Sequence, residues 1–139
     1  MHNGILGIDP IETYPELISR LKKKMKPLNG INYDDFKKID IRVGTVLKAE
    51  LFPEAHKASM KLWLDFGQDI GELKTSAQIT VNYSVDEVVG KKVAAVVNFP
   101  PKQIGPFMSE CLILGFPDEA GEVVLISLDK DVPDGGKLF

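Results

Sequence analysis

Asn98, Lys102, Gln103, Ser109 and Glu110 place amide, ammonium, hydroxyl and carboxylate groups in one short stretch, with Ile104, Phe107 and Met108 set among them. The Pro100-Pro101 pair just ahead stiffens the backbone and removes two hydrogen-bond donors. Mixed polar and apolar side chains on a stiffened connection between two apolar runs, Val93 to Phe99 and Cys111 to Leu114, read as a binding loop. Phe107 and Met108 either meet a partner there, methionine being adaptable to varied surfaces, or tuck into the body of the fold.

Further candidates lie upstream. From Ser59 to Phe66 the residues alternate, so Met60, Leu62, Leu64 and Phe66 point one way and Lys61, Trp63 and Asp65 the other. Trp63 then stacks on a base, covers a peptide side chain, closes one end of the fold or fills a subunit contact. Ser76 and Gln78 fall on the next strand, available to a ligand or to the binding loop. Lys57, Lys61, Lys74 and Lys102 line a basic groove or are ordinary solvated lysines. His56 is either a plain surface histidine or a contact to a ligand or nucleic acid. Cys111 sits in an apolar run and reads as a small core hydrophobe.

These side chains need a β scaffold, and the pattern supplies one. Asp40 to Leu51 predicts a long strand with a bulge or bend at Gly44, Ser59 to Phe66 a second, and Glu72 to Thr80 a third. Ser84-Val85-Asp86-Glu87 is a capping box opening a short helix to Val89, stopped by Gly90. Lys91 to Phe99 predicts a fourth strand, and Cys111 to Leu114 and Val123 to Leu128 complete the set, with a turn at Asp118 to Gly121. Tyr33 to Ile39 is expected as a short helix or turn. Three strands, a short helix and then further strands is the order of an OB-fold, an all-β barrel with short helices. Residues 1–30 read as a helical extension, with Asp9 as cap, Pro10 in the first turn, Ile11, Tyr14, Leu17, Ile18, Leu21 and Met25 at helical spacing, and Lys22, Lys23, Lys24 and Lys26 at the basic end. That end is expected either as solvated charge on a packed helix or as a basic arm for RNA.

Composition narrows the function. A chain of 139 residues has room for one core, and its net charge of −3 argues against an indiscriminate nucleic-acid binder. Residues 31–109 nevertheless balance 10 Lys/Arg against 10 Asp/Glu, while residues 110–139 hold 2 against 7, so a local basic face is compatible with the whole. One cysteine precludes an internal disulfide and fits a reducing compartment. No secretory leader and no membrane-spanning run is expected. No nucleophile elbow, Walker loop, dinucleotide fingerprint or metal-spaced Cys/His set occurs, so neither catalysis, cofactor nor metal is expected.

Three segments in order, Asp40-Ile41-Arg42-Val43-Gly44-Thr45-Val46, Ser76-Ala77-Gln78-Ile79-Thr80 and Val96 to Gly115, resemble the CsaA-like secretion chaperones. These belong to the tRNA-binding OB-fold superfamily, alongside the C-terminal domain of many methionyl-tRNA synthetases. The resemblance covers residues 31–139 and implies a five-stranded barrel, a cytoplasmic homodimer and a role in protein export. The implied partners are unfolded or precursor polypeptides. Synthetase-type relatives bind tRNA, which is the second candidate partner, and Asn98, Pro101, Lys102 and Ser109 fit the shared pattern. Ser109 followed by Glu110-Cys111-Leu112, and Ser76-Ala77-Gln78 in place of a Ser-Gly element, match the chaperone branch. Relatives also use terminal segments between subunits, which makes Leu138 and Phe139 dimer candidates. A third reading, a structural subunit of a synthetase complex, rests on the Pro10 to Met25 helix.

Overall fold

The computed structural model describes residues 11–24 and 30–139. The chain divides into two compact units, Met1–Phe36 and Lys37–Phe139. In the first, helix α1 (Tyr14–Lys24) starts four residues later than Pro10 would place it, and residues 11–13 are not helical. The cause is a capping box. Thr13 Oγ1 accepts from the Glu16 amide at 3.3 Å, and the Glu16 carboxylate accepts from the Thr13 amide at 3.1 Å, satisfying two donors at the helix start. Asp9, Pro10, Met25 and Lys26 lie outside the described residues. Helix α2 (Tyr33–Lys37) is capped reciprocally by Asn32 and Asp35.

The second unit is an OB-fold barrel. Strands β1 (Ile41–Leu51), β2 (Met60–Asp65) and β3 (Glu72–Ala77) form an antiparallel meander, followed by helix α3 (Val85–Val88) and strand β4 (Lys92–Val96). A hairpin of β5 (Lys102–Ile104) and β6 (Phe107–Ser109) precedes β7 (Leu112–Ile113). A second hairpin, β8 (Gly115–Pro117) and β9 (Val123–Leu125), ends the series. The main sheet runs β3-β2-β1-β4-β7. It closes where the Glu110 amide donates to the Lys74 carbonyl at 2.8 Å and the Lys74 amide donates to the Glu110 carboxylate at 3.0 Å.

Alternation along β2 places Met60, Leu62 and Leu64, with Phe66 beyond it, fully inside. They meet Val46, Val93 and Ala95 from the neighbouring strands and Val88 from α3. The capping box at Ser84 is present, and Val88 is aimed into the barrel by that helix.

Several sequence expectations change in detail, the strands expected over Cys111 to Leu114 and Val123 to Leu128 shortening to Leu112–Ile113 and Val123–Leu125. Gly44 is not a bulge. A Cβ there would lie 2.6 Å from the Phe66 ring, so glycine is needed for close packing, and the register shift falls between Val46 and Lys48. Strand β3 ends at Ala77 rather than Thr80, because its partner β2 begins at Met60 opposite that residue. Strand β4 ends at Val96, and Asn98 continues the pairing with its side chain. It accepts from the Asp40 amide at 3.0 Å and donates to the Lys38 carbonyl at 2.8 Å. The stretch after Pro100-Pro101 is a hairpin turning at Gly105-Pro106, not an open loop.

Residues 135–138 run back along β1 as a strap. Val43 donates to Gly136 and accepts from Gly135, and Leu138 donates to Ile41. Gly67 crosses beneath it with φ +86°, and a Cβ there would lie 2.6 Å from the Asp134 carbonyl oxygen.

Candidate functional site

Three pieces of the barrel diverge around a cleft of about 600 Å³. They are the β1–β2 connection (52–59), the end of β3, and the β5–β6 hairpin with the residues that follow it. The hairpin's register explains what it contributes. Lys102 faces Ser109 and Ile104 faces Phe107 on one side, while Gln103 and Met108 share the other. Lys102, Ile104 and Ser109 therefore line the cleft, and Met108 is 42% exposed outside it.

The apolar part of the buried and half-buried lining is Ile79, Ile104, Ile113 and Val123 with the thiol of Cys111. Ser76, Gln78 and Ser109 add neutral hydrogen-bonding groups, and His56, Lys57 and Lys102 are exposed at its margin. No acidic residue and no Phe, Tyr or Trp lines the cleft, and its one ring is the exposed imidazole of His56. The Ser59 hydroxyl donates to the Lys57 carbonyl at 2.7 Å, which fixes the connection carrying His56 and Lys57.

Beside the cleft lies a second cluster. Phe107 is 7% exposed and packs edge-on against Phe52 (centroids 5.5 Å apart) and Trp63 (6.0 Å). Lys61 Nζ lies 4.7 Å from the Phe52 centroid and 5.3 Å from that of Phe107, and Lys74 Nζ 5.0 Å from Phe107. Lys48 Nζ lies 4.7 Å from the Trp63 ring. Register makes this inevitable, since Trp63 stands opposite Lys48 on β1 and Lys74 on β3. Phe107 is thus a keystone between hairpin and barrel. The expectation that Phe107 and Met108 are displayed together is corrected: they occupy opposite faces of β6.

Other sequence candidates also serve the fold. The Thr75 hydroxyl donates to the Cys111 carbonyl at 2.6 Å and lies 2.8 Å from Ser109 Oγ, so Ser109 is tied to the seam where the barrel closes. Glu110 closes the same seam, and Gln103 donates to the Gly105 carbonyl at 3.1 Å within its hairpin. Burial pushes the Cys111 thiol up to about 12, which keeps it protonated and inert. Leu138 and Phe139 lie elsewhere, in an apolar groove of about 350 Å³ that includes Ile41, Ala94, Leu114 and Leu128. Phe139 is fully exposed there.

The sequence reading placed Ile104 in the binding stretch and missed Thr75 and Phe52. Thr75 had a signal: it shares the inward parity of Leu73 and Ala77, and a hydroxyl on a buried face requires a partner. Phe52 had none, because it acquires its role from Phe107, distant in sequence. Among the described residues no group of three or more His, Cys, Asp or Glu side chains could hold a metal. No helix among them is long and apolar enough to cross a membrane.

Residues 41–137 match the family model for a putative tRNA binding domain. The fold is similar to the CsaA chaperone of Picrophilus torridus (TM-score 0.74, 49% identity, covering 79% of this chain and 100% of that one). It is also similar to the chaperone CsaA of Bacillus anthracis str. Ames (TM-score 0.75, 43% identity, covering 80% and 100%). Among sequences, a methionine--tRNA ligase of Flavobacterium johnsoniae is 34% identical over 132 residues, covering 94% of this chain. The chain spans only 18% of that ligase's length.

Proposed function

The chain belongs to the putative tRNA binding domain family as a CsaA-like OB-fold member, and from that premise we propose that it is a chaperone holding unfolded or export-bound polypeptides in the cytoplasm. One observation carries this reading: the buried and half-buried lining is apolar and neutral, with Ile79, Ile104, Ile113 and Val123 beside Ser76 and Ser109, while Lys57, Lys102 and the single ring, His56, stand exposed at the margin. Such a surface suits an extended segment that buries an aliphatic side chain and bonds through its backbone. It suits a run of nucleobases poorly, since successive bases held without sequence preference stack on successive aromatic faces and only the His56 imidazole is offered. Residues 31–139 are the binding domain in this reading, residues 1–30 an extension, and no catalytic step is involved.

A second reading, a freestanding tRNA-binding protein acting with a synthetase, draws on Lys48, Lys61 and Lys74 around Trp63 and Phe107. Lysines beside a half-buried tryptophan resemble a phosphate track. The two readings separate in a salt series with unfolded polypeptide and tRNA as competing ligands. The chaperone reading expects polypeptide binding that changes little between about 50 and about 200 mM salt, whereas tRNA held through phosphates weakens by on the order of tenfold or more. Steeply salt-dependent tRNA binding with no polypeptide binding would replace the first reading by the second.

We further propose that two copies meet through the groove at Leu138 and Phe139. Burying each side chain contributes about 2 kcal/mol. Leu138→Ser with Phe139→Ser leaves the strap's backbone bonds in place and is expected to shift sedimentation from dimer to monomer. A parent that already sediments as monomer at micromolar concentration sinks this interface.

A further inference from the structure

The cleft's charge is one-sided in a protein whose total is not. The chain carries 20 acidic residues against 17 lysines and arginines, yet the cleft is lined by Lys57, Lys102 and His56 and by no carboxylate. Among the described residues, neither Lys57 nor Lys102 has a carboxylate oxygen within 4.0 Å. The nearby carboxylate of Glu110 is engaged by the Lys74 amide. The two lysines arise from separate connections, the β1–β2 loop and the β5 strand, and both border the same aliphatic lining. Both are exposed, so an incoming carboxylate finds the ammonium groups without a costly desolvation step.

We infer that the cleft selects polypeptide segments in which an aliphatic residue is flanked by Asp or Glu, and rejects segments flanked by Lys or Arg. This deepens the chaperone reading and rests on it. Charges at the rim of a site contribute discrimination more than affinity, and like charges brought together there are penalised. The aliphatic lining supplies the attraction common to all segments, and Lys57 and Lys102 rank them. A phosphate backbone would satisfy the same two ammonium groups, but the lining offers its bases only the exposed imidazole of His56 to stack on. A consequence concerns export-bound clients. A leader with a basic stretch before its apolar stretch is disfavoured at this cleft, so the segments held come from acid-flanked aliphatic stretches elsewhere in the precursor.

The test uses the full chain and three fluorescent peptides sharing one aliphatic centre, with flanks of Glu, Ser or Lys. At about 50 mM salt the Glu-flanked peptide is expected to bind at least about tenfold more tightly than the Lys-flanked one, with the Ser-flanked peptide between. At about 0.5 M salt the ranking is expected to collapse while residual binding persists. Lys57→Glu with Lys102→Glu inverts the order, and Lys57→Gln with Lys102→Gln levels it. Equal binding of the three peptides by the parent, or an order that both variants preserve, overturns the selectivity and leaves the chaperone reading standing. If none of the peptides binds, while tRNA binds and is lost on Lys102→Glu, the chaperone reading itself fails and the inference falls with it.

Discussion

Lysines occupy two adjoining regions of this barrel and do different things in each. In the aromatic cluster, Lys48, Lys61 and Lys74 lie over the rings of Trp63, Phe52 and Phe107 at 4.7 to 5.3 Å. There the cations already have partners, and their stems cover apolar rings. At the cleft, Lys57 and Lys102 stand exposed beside an aliphatic lining. The same residue type is architecture in one place and an offered contact in the other. What separates the two is what the neighbouring strand supplies, not the count of basic residues.

The contrast breaks most visibly at Phe107. Truncating this keystone to alanine is expected to cost about 3–5 kcal/mol and to lower the melting temperature by on the order of 15 °C. Met108→Ala, one residue away on the outward face, is expected to stay within about 0.5 kcal/mol. Matching thermal shifts for the two would erase the distinction between the faces of β6.

Thr75 lies between the regions, following Lys74 of the cluster and preceding Ser76 of the cleft. Thr75→Val removes the short donor to the Cys111 carbonyl and leaves it only the longer bond from Ser109 Oγ at 3.4 Å, a loss of about 0.5–1.5 kcal/mol. Hydrogen exchange at the Glu110 amide, which closes the seam onto Lys74, should accelerate in this variant. Unchanged protection would mean the seam does not depend on that hydroxyl.

Lys61→Met with Lys74→Met probes the cluster alone. Each change is expected to cost roughly 0.5–1 kcal/mol in urea unfolding and to leave peptide affinity unaltered. A large drop in peptide affinity would move the client site onto the cluster.

The smallest effect concerns Cys111, in the cleft lining but 6% exposed. With its ionisation pushed from 9.0 up to about 12, it should react with iodoacetamide at pH 8 only as fast as the protein unfolds. Rapid labelling of the native protein would show the cleft to be deeper and more open than described. The same shift has a stability consequence. The unfolded chain loses this proton first, so folding stability falls as pH rises from about 9 towards 12.

Much of the scaffold is legible in the residues. The clean alternation of Ser59 to Phe66 specifies β2 and its buried face, and Ser84 with Glu87 specifies α3. Short elements read less well. The three-residue strands of the β5–β6 hairpin are too brief to show a period, and two prolines ahead of them read as loop. Asn98 and Ser109 read as polar residues of a binding stretch, yet one extends the β1–β4 pairing and the other joins the seam. Polarity alone does not distinguish a hydrogen bond that serves a ligand from one that serves the backbone. That distinction depends on partners 34 or 58 residues away in sequence.

The strap along β1 has a consequence in time. Arg42 donates to the carbonyl of Gly135 at 3.0 Å, across a sequence separation of 93 residues. During synthesis the first half of β1 emerges early, and the backbone groups later claimed by the strap have no partner until residues 135–138 follow. Contacts this distant along the chain slow folding, because a large loop must close before they form. A nascent chain halted before Val132 would expose a length of strand edge, itself a template for pairing with other chains. A protein proposed to shield unfolded polypeptides thus passes, while being made, through a state of the kind it would shield.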